Sequence, residues 1–245
     1  MDHTLVRTPV LRSEWLKIRT LRSLPGALLA LFAATTAFSA IAGVSETSGP
    51  GFDPLFTALS GVVPGQIAAV SFGAMAVSAE FHPGALRLSL AAVPRRGRWF
   101  AAKAAVIAAT VFPVGLVTAA AALLAARAGL GTAAGGLDAA EQVRAVVGCA
   151  VYLTLMALFA AGIAALLRSG VATLSLLIPF LLVVSFVIGD ATGTLADLLP
   201  DKAGQLVLHE RPDGTLGPWS GLAVTALWTG AALLLGGWRL RRRDA

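Results

Sequence analysis

The stretch that decides the fold runs from Glu80 to Lys103 and reads EFHPGALRLSLAAVPRRGRWFAAK. It separates two long apolar runs and carries five Lys or Arg in 24 residues. Because charges at this density do not lie in hydrocarbon, the stretch must lie in water or at a membrane surface. We therefore expect a cytoplasmic loop between two helices that cross a membrane.

The composition of the whole chain indicates the same class of protein. Hydrophobic residues make up 57% of its 245 positions and charged residues only 13%, whereas soluble domains carry about 25% charged residues. A soluble core cannot bury such an excess of apolar side chains. The net charge of +6 comes from short basic clusters beside apolar runs. This pattern argues against a nucleic-acid partner.

Six apolar runs are long enough to cross a membrane, since about 20 helical residues span about 30 Å of hydrocarbon. We predict an all-α membrane protein with one transmembrane domain over residues 1–245. The first run is too long for a typical signal peptide, although Ala40-Ile41-Ala42 has a cleavage-like pattern. The predicted spans are residues 24–44, 55–79, 104–126, 145–167, 171–189 and 219–238.

The distribution of Lys and Arg sets the expected orientation of these spans. With a cytoplasmic N-terminus, fifteen of the 19 basic residues lie on the cytoplasmic side. Cytoplasmic loops carry such an excess in most multi-span proteins. We expect both termini in the cytoplasm and the loop over residues 80–103 on the same side.

Residues 1–23 combine five basic side chains with an apolar stripe. On a helix, Leu11, Trp15, Ile18 and Leu21 lie along one face. This pattern predicts an amphipathic helix at the membrane interface before the first span. A solvated tail is the alternative.

The second predicted span carries small residues every four positions, at Gly61, Gly65, Ala69 and Gly73. Such a strip allows another helix to approach closely, so we predict a helix-packing face there, either within the chain or in a dimer. Gln66 lies in the same span, where a polar side chain needs a hydrogen-bond partner or lines a transport pathway.

Several kinds of chemistry lack their residues in this chain. There is no Gly-Lys pair and hence no P-loop for ATP. No predicted span carries a charged residue or a His at mid-depth, which ion-coupled transporters generally need. The single cysteine, Cys149, and the three histidines do not have metal-ligand spacing. We expect no catalytic site, no metal and no cofactor, and therefore no enzyme.

The residues of the loop and of the two chain ends follow the order of a known family. The stretches Ser13 to Ser23, SEWLKIRTLRS, and Arg241 to Ala245, RRRDA, belong to the same pattern. The chain resembles permease subunits of type 2 ABC transporters, the ABC-2 family, although His82-Pro83 is a variant and Ala85 stands where the family often has Thr. The loop residues that carry the resemblance are Glu80, Gly84, Arg87, Ser89, Leu90, Pro94, Arg95 and Lys103.

The resemblance implies a permease of the bacterial cell membrane, in the exporter class, powered by a separate ATP-binding subunit on the cytoplasmic face. It also implies a second permease copy or paralogue as partner, with membrane lipids around both. The segment after the second span would form a coupling helix that receives the motion of the ATPase. Its expected coupling residues are Glu80, Gly84, Arg87, Ser89, Leu90, Pro94 and Arg95.

Two other readings of the sequence stay open. One is a membrane anchor or assembly partner of a sensor complex, which needs no internal active site either. The other is a secondary transporter, which the uncharged spans disfavour. The sequence does not identify the transported substrate, although an apolar pathway favours an amphipathic or lipid-like molecule.

Overall fold

The computed structural model describes residues 7–45, 52–81, 96–131, 138–184, 187, 198–211 and 216–242. Within these ranges every regular element is helical. The helices are α1 (Arg7–Thr20), α2 (Ser23–Ser45), α3 (Pro54–Leu59), α4 (Val62–Ser78), α5 (Arg96–Leu130), α6 (Ala139–Leu167), α7 (Gly170–Pro179), α8 (Pro200–Gln205) and α9 (Pro218–Arg242). Shorter helical turns follow three of them: a 3-10 turn Ala79–Phe81 after α4, a π-helical turn Phe180–Val184 after α7, and a 3-10 turn Leu206–Leu208 after α8.

Five of the described helical segments are long and apolar enough to cross a membrane. The predicted fifth span, residues 171–189, is described as a shorter apolar helix, Gly170–Val183. For the described residues, an all-α fold with helices suited to a membrane protein is thus confirmed, and the six-span count stays a prediction. The five long segments are Ser23–Ser45, Pro54–Phe81, Arg96–Leu130, Ala139–Leu167 and Pro218–Arg242.

The helix that follows the basic loop begins earlier than predicted. We placed residues 96–103 in the loop, but they form the first two turns of α5. Trp99 and Phe100 are buried there, so this part of the helix already packs against the bundle. Helix packing therefore extends the third span to Arg96.

The second spanning segment is interrupted where α3 ends and α4 begins. Asp53 caps α3, since its Oδ1 accepts hydrogen bonds from the backbone N–H groups of Leu55 and Phe56. After Ser60, the chain turns into α4 with Pro64 in the first turn. Proline has no N–H to donate, and the first turn of a helix is where this costs least.

Helix α6 lies at the centre of the bundle and packs against α4, α5 and α9. Close backbone contacts are possible because small residues face one another: Gly73 of α4 lies against Ala157, and Gly162 lies against Ala232 of α9. Fifteen residues of α6 are buried. This helix therefore holds the other long helices together.

The termini of the helices lie at two opposite ends of the bundle. At the loop end, which carries residues 79–81 and 96–103, Arg96 donates from Nη1 to the carbonyl oxygen of Leu240 over 3.0 Å. Gly170, where α7 begins, lies beside Ser78 at this end. At the opposite end, which we call the far end, Gly43 of α2 lies against Ala126 of α5.

Candidate functional site: a buried ion-pair cluster at the loop end

The predicted coupling residue Glu80 lies at the centre of a cluster of four charged side chains. Its Oε1 accepts hydrogen bonds from Lys17 Nζ at 2.8 Å and from Lys103 Nζ at 2.7 Å. Lys17 belongs to α1 and Lys103 to α5, whereas Glu80 ends the second spanning segment. The carboxylate thus joins three helical segments that are far apart in sequence.

Glu14 of α1 completes the cluster. It forms ion pairs with Lys103 through Oε2 and with Lys17 through Oε1, the latter over 3.1 Å. Two acids and two bases therefore alternate, and the cluster has no net charge. We call Glu14, Lys17, Glu80 and Lys103 the charge cluster.

Three members of the charge cluster are withdrawn from solvent. Glu14, Glu80 and Lys103 are 2%, 4% and 4% exposed, respectively. A buried ion pair adds little stability compared with apolar packing, but removing one partner from such a pair typically costs about 3–5 kcal/mol. We therefore infer that the charge cluster fixes the position of α1 against the ends of α4 and α5.

Lys17 is the member that is partly open to solvent. Burial lowers the pKa of its ammonium, but the hydrogen bond that Lys17 donates to Glu80 and the charge of Glu14 outweigh that effect and raise the pKa above its ordinary value of 10.5. Lys17 is consequently charged throughout the physiological range. Its charge balances the second carboxylate of the cluster.

Helical spacing explains how the sequence brings these side chains together. Glu14 and Lys17 are three residues apart and share one face of α1. Ile18 on that side is buried, whereas Trp15 and Leu16 are exposed. On α5, Trp99 lies one turn before Lys103, and the Lys103 Nζ is 5.7 Å from the centre of the Trp99 ring. Helix α1 thus contributes two charged side chains to the cluster, and α5 contributes one.

No role for Glu14 was predicted from the sequence pattern. It is the one acid between Arg7 and Ser23, a strongly basic stretch, and it stands three residues before a lysine. That spacing was the available signal. Of the predicted apolar stripe, Trp15 and Leu21 are exposed and Ile18 is buried, whereas Leu11 lies where no side chain is described.

The remaining predicted coupling residues lie outside the described residues, which stop at Phe81 and resume at Arg96. They are Gly84, Arg87, Ser89, Leu90, Pro94 and Arg95. The charge cluster includes one residue on each side of this segment: Glu80 precedes it, and Lys103 follows it on α5.

The predicted packing strip of the second span lies against helices of the same chain. A side-chain atom added at Gly61 or Gly65 would collide with Thr35 of α2, and one added at Gly73 would collide with the backbone of Ala157. Ala69 is also buried. The strip is therefore covered by α2 and α6 within one chain, which leaves it little room for a second copy.

Gln66 has the hydrogen-bond partner that its depth requires. Its Oε1 accepts a hydrogen bond from the hydroxyl of Tyr152 on α6. The Tyr152 oxygen in turn accepts from Gln205 Nε2 of α8 over 3.2 Å. A buried polar chain thus links α4, the central helix and the short α8.

A second polar contact joins helical segments at the far end. Asp53 Oδ2 lies 3.1 Å from His209 Nδ1 and accepts a hydrogen bond from the backbone N–H of Glu210. The His209 ring stacks on Phe56, with ring centres 4.2 Å apart. Arg144 of α6 donates to the carbonyl oxygen of His209 over 2.7 Å. The segment after α8 is thereby fixed to the starts of α3 and α6.

The described part of the chain contains no group of three His, Cys, Asp or Glu side chains that could hold a metal ion. Cys149 is a free, buried thiol on α6. The ordered polar groups therefore serve to join helices, and the charge cluster is the most elaborate of them.

Comparison with known proteins adds no further assignment. No family model matches the sequence, and no curated protein matches it. The function is therefore inferred from the residues of this chain and from the geometry of the charge cluster.

Proposed function

We propose that this chain is the membrane-spanning permease subunit of an ABC transporter, in the exporter class. A separate ATP-binding subunit would dock at the loop end and supply the energy, because the sequence has no P-loop of its own. A second copy or a paralogue would complete the assembly in the bacterial cell membrane. The observation that carries the proposal is the charge cluster around Glu80.

The charge cluster supports a coupling role because of where it lies. A docked ATPase would press on residues 82–95, which are attached to α4 on one side and to α5 on the other. Glu80 and Lys103 join these two attachment points, and Glu14 and Lys17 add α1 to the same unit. A displacement of the loop would therefore move three helices together, which is what transmission to a transport pathway requires.

The six-span arrangement is supported by the positions of the helix ends. Helix α6 ends at the loop end, where Arg168 lies over the ring of Phe81. Helix α9 begins beside α8, since Thr225 donates to the carbonyl oxygen of Pro200, and it finishes at the loop end near Arg96. Between these two helices, α7 begins at the loop end beside Ser78, and we propose that it starts a passage toward the far end. This passage would be the fifth of six crossings.

Cysteine labelling tests the topology directly. With six spans and a cytoplasmic loop end, a cysteine at Asp138 should react with an impermeant reagent added outside, and one at Arg98 should not. Both positions are exposed, and the native Cys149 is fully buried, so background labelling should be low. External labelling at Arg98 would overturn the orientation.

Co-purification followed by an ATPase assay tests the function. The permease should retain an ATP-binding protein when it is isolated from its native membrane. The reconstituted complex should hydrolyse ATP faster when a transported compound from a panel of hydrophobic molecules is present. Glu80→Gln should reduce this stimulation per folded permease. Glu141→Gln, which neutralises a carboxylate at the far end, should not. Isolation without any ATPase would instead favour a membrane anchor or assembly partner.

A further inference from the structure

An open groove lies at the loop end between the first turns of α5 and the last turns of α9. Its volume is about 730 Å³, within the range of about 300–1,000 Å³ typical of small-molecule sites. Its walls are almost wholly apolar, and one charged side chain stands among the lining residues. The walls include Phe100, Ala104, Leu233, Leu234, Trp238 and Arg241.

Two glycines keep the groove open where the helices come closest. A Cβ on Gly97 would lie 2.6 Å from Arg241 Nη2, so the guanidinium rests directly over the α5 backbone. A Cβ on Gly237 would contact the Phe100 ring at 3.5 Å. Larger residues at either position would narrow the groove beside its charged mouth.

The mouth of the groove carries positive charge, and no acid among the described residues forms an ion pair with it. Arg241 and Arg242 are exposed, and the Arg242 guanidinium lies 4.4 Å from the centre of the Trp238 ring. The ion pairs among the described residues involve Lys17, Lys103 and His209, and none includes these arginines. An apolar slot capped by cations fits an anionic molecule with a long apolar tail.

We propose that this groove binds an anionic phospholipid of the leaflet at the loop end. One acyl chain would lie between α5 and α9 along Phe100 and Leu234, and the phosphate would contact Arg241, with Arg242 beside it. Arginine pairs with phosphate through two parallel hydrogen bonds, which suits this placement. This site is independent of the proposed transport function.

A second copy of the chain fits this surface less well. A two-fold symmetric contact brings the same patch of each partner face to face. Arg241 and Arg242 would then oppose their own equivalents across the contact, where like charges repel. Charge complementarity therefore favours the lipid.

Native mass spectrometry of protein released from nanodiscs tests the site. The nanodiscs contain phosphatidylcholine with a minor fraction of phosphatidylglycerol, and the readout is the ratio of the two lipids retained. Wild-type protein should retain phosphatidylglycerol preferentially. Arg241→Gln should weaken that preference roughly fivefold, because one basic residue near an anionic surface contributes about 1 kcal/mol.

The control is Arg211→Gln, which removes an exposed arginine at the far end. It should leave the preference unchanged, and matched melting temperatures should show that both variants are folded. A photoreactive residue at Leu234 provides a second readout and should crosslink to lipid. Equal retention of both lipids by the wild type, unchanged preference in Arg241→Gln, or crosslinking of Leu234 to a second chain would each overturn the proposal.

Discussion

The hydroxyl of Tyr152 donates a hydrogen bond to Gln66, and both side chains are buried where α4 meets α6. Because both side chains are buried, water cannot replace either hydrogen-bond partner. The same hydroxyl accepts from Gln205, so a single oxygen joins three helical segments. The packing of α4, α6 and α8 therefore depends in part on a polar contact inside a mostly apolar bundle.

We predict that Tyr152→Phe lowers the melting temperature of the purified protein. The change leaves Gln66 and Gln205 without their shared partner, at a cost of about 1–3 kcal/mol for a buried polar group. Hydrogen bonds between membrane helices average nearer 0.6 kcal/mol, so the lower part of this range is expected. The double variant Tyr152→Phe with Gln66→Leu should lose less than the sum of the single changes. Strict additivity would show that the contact contributes nothing.

For the charge cluster, we predict an order of effects on thermal stability. Lys103→Met should be most damaging, at about 3–5 kcal/mol, because it leaves Glu14 and Glu80 buried together. Glu80→Gln should cost less, because Lys103 keeps its ion pair with Glu14. Combining both changes restores neutrality, so the double variant should be more stable than Lys103→Met alone. A double variant less stable than either single one would contradict this account.

Gly73 and Gly230 offer a matched pair of substitutions. Gly73→Ala should destabilise the protein by about 1–3 kcal/mol, because the added methyl group meets the backbone of Ala157 and overpacks the contact. Gly230→Ala should be neutral or slightly stabilising, since no atom lies within 4 Å of the new Cβ and alanine favours a helix. Thermal unfolding in detergent measures both. Equal melting temperatures for the two variants would show that α4 and α6 can separate at little cost.

The contact between Asp53 and His209 should make the far end sensitive to acid. Partial burial would raise the pKa of Asp53, but hydrogen bonds from His209 and from the backbone N–H groups of Phe56 and Glu210 hold it below 3.8. A depressed carboxyl pKa adds stability above the ordinary value, and this contribution is lost as the pH falls through the folded value. The melting temperature of Asp53→Asn should therefore be lower than that of the wild type at neutral pH. The difference should shrink once the pH drops below 3.8, whereas a difference that does not change with pH would exclude a role for the carboxylate charge.

The sequence predicted those parts of the fold that depend on local patterns. Apolar runs located the five long helices, because any segment in hydrocarbon must satisfy its own backbone hydrogen bonds. The start of α5 was placed too late, since the burial of Trp99 depends on neighbouring helices and cannot be read from nearby charges. The break between α3 and α4 had a visible cause in Pro64, but its position depends on the cap that Asp53 supplies.

The candidate site was predictable only in part for the same reason. Glu80 was identified from the sequence because a carboxylate beside a membrane boundary indicates a structural or functional role. Its partners Lys17 and Lys103 lie 63 residues earlier and 23 residues later in the chain, and no local pattern specifies such pairings. The role of Glu14 followed only from the three-dimensional arrangement.

The order of the charge cluster along the chain has a consequence for biogenesis. A lysine at the centre of a membrane helix is unfavourable by about 2.5–3.5 kcal/mol when it is inserted alone, and the cost is smaller for Lys103, which lies near the start of α5. Glu14 and Glu80 both precede Lys103, so the two carboxylates are synthesised before the ammonium that they neutralise. The nascent chain thus carries its own counter-ions to the insertion site. Loss of either acid should slow the integration of α5 during translation, before any transport complex exists.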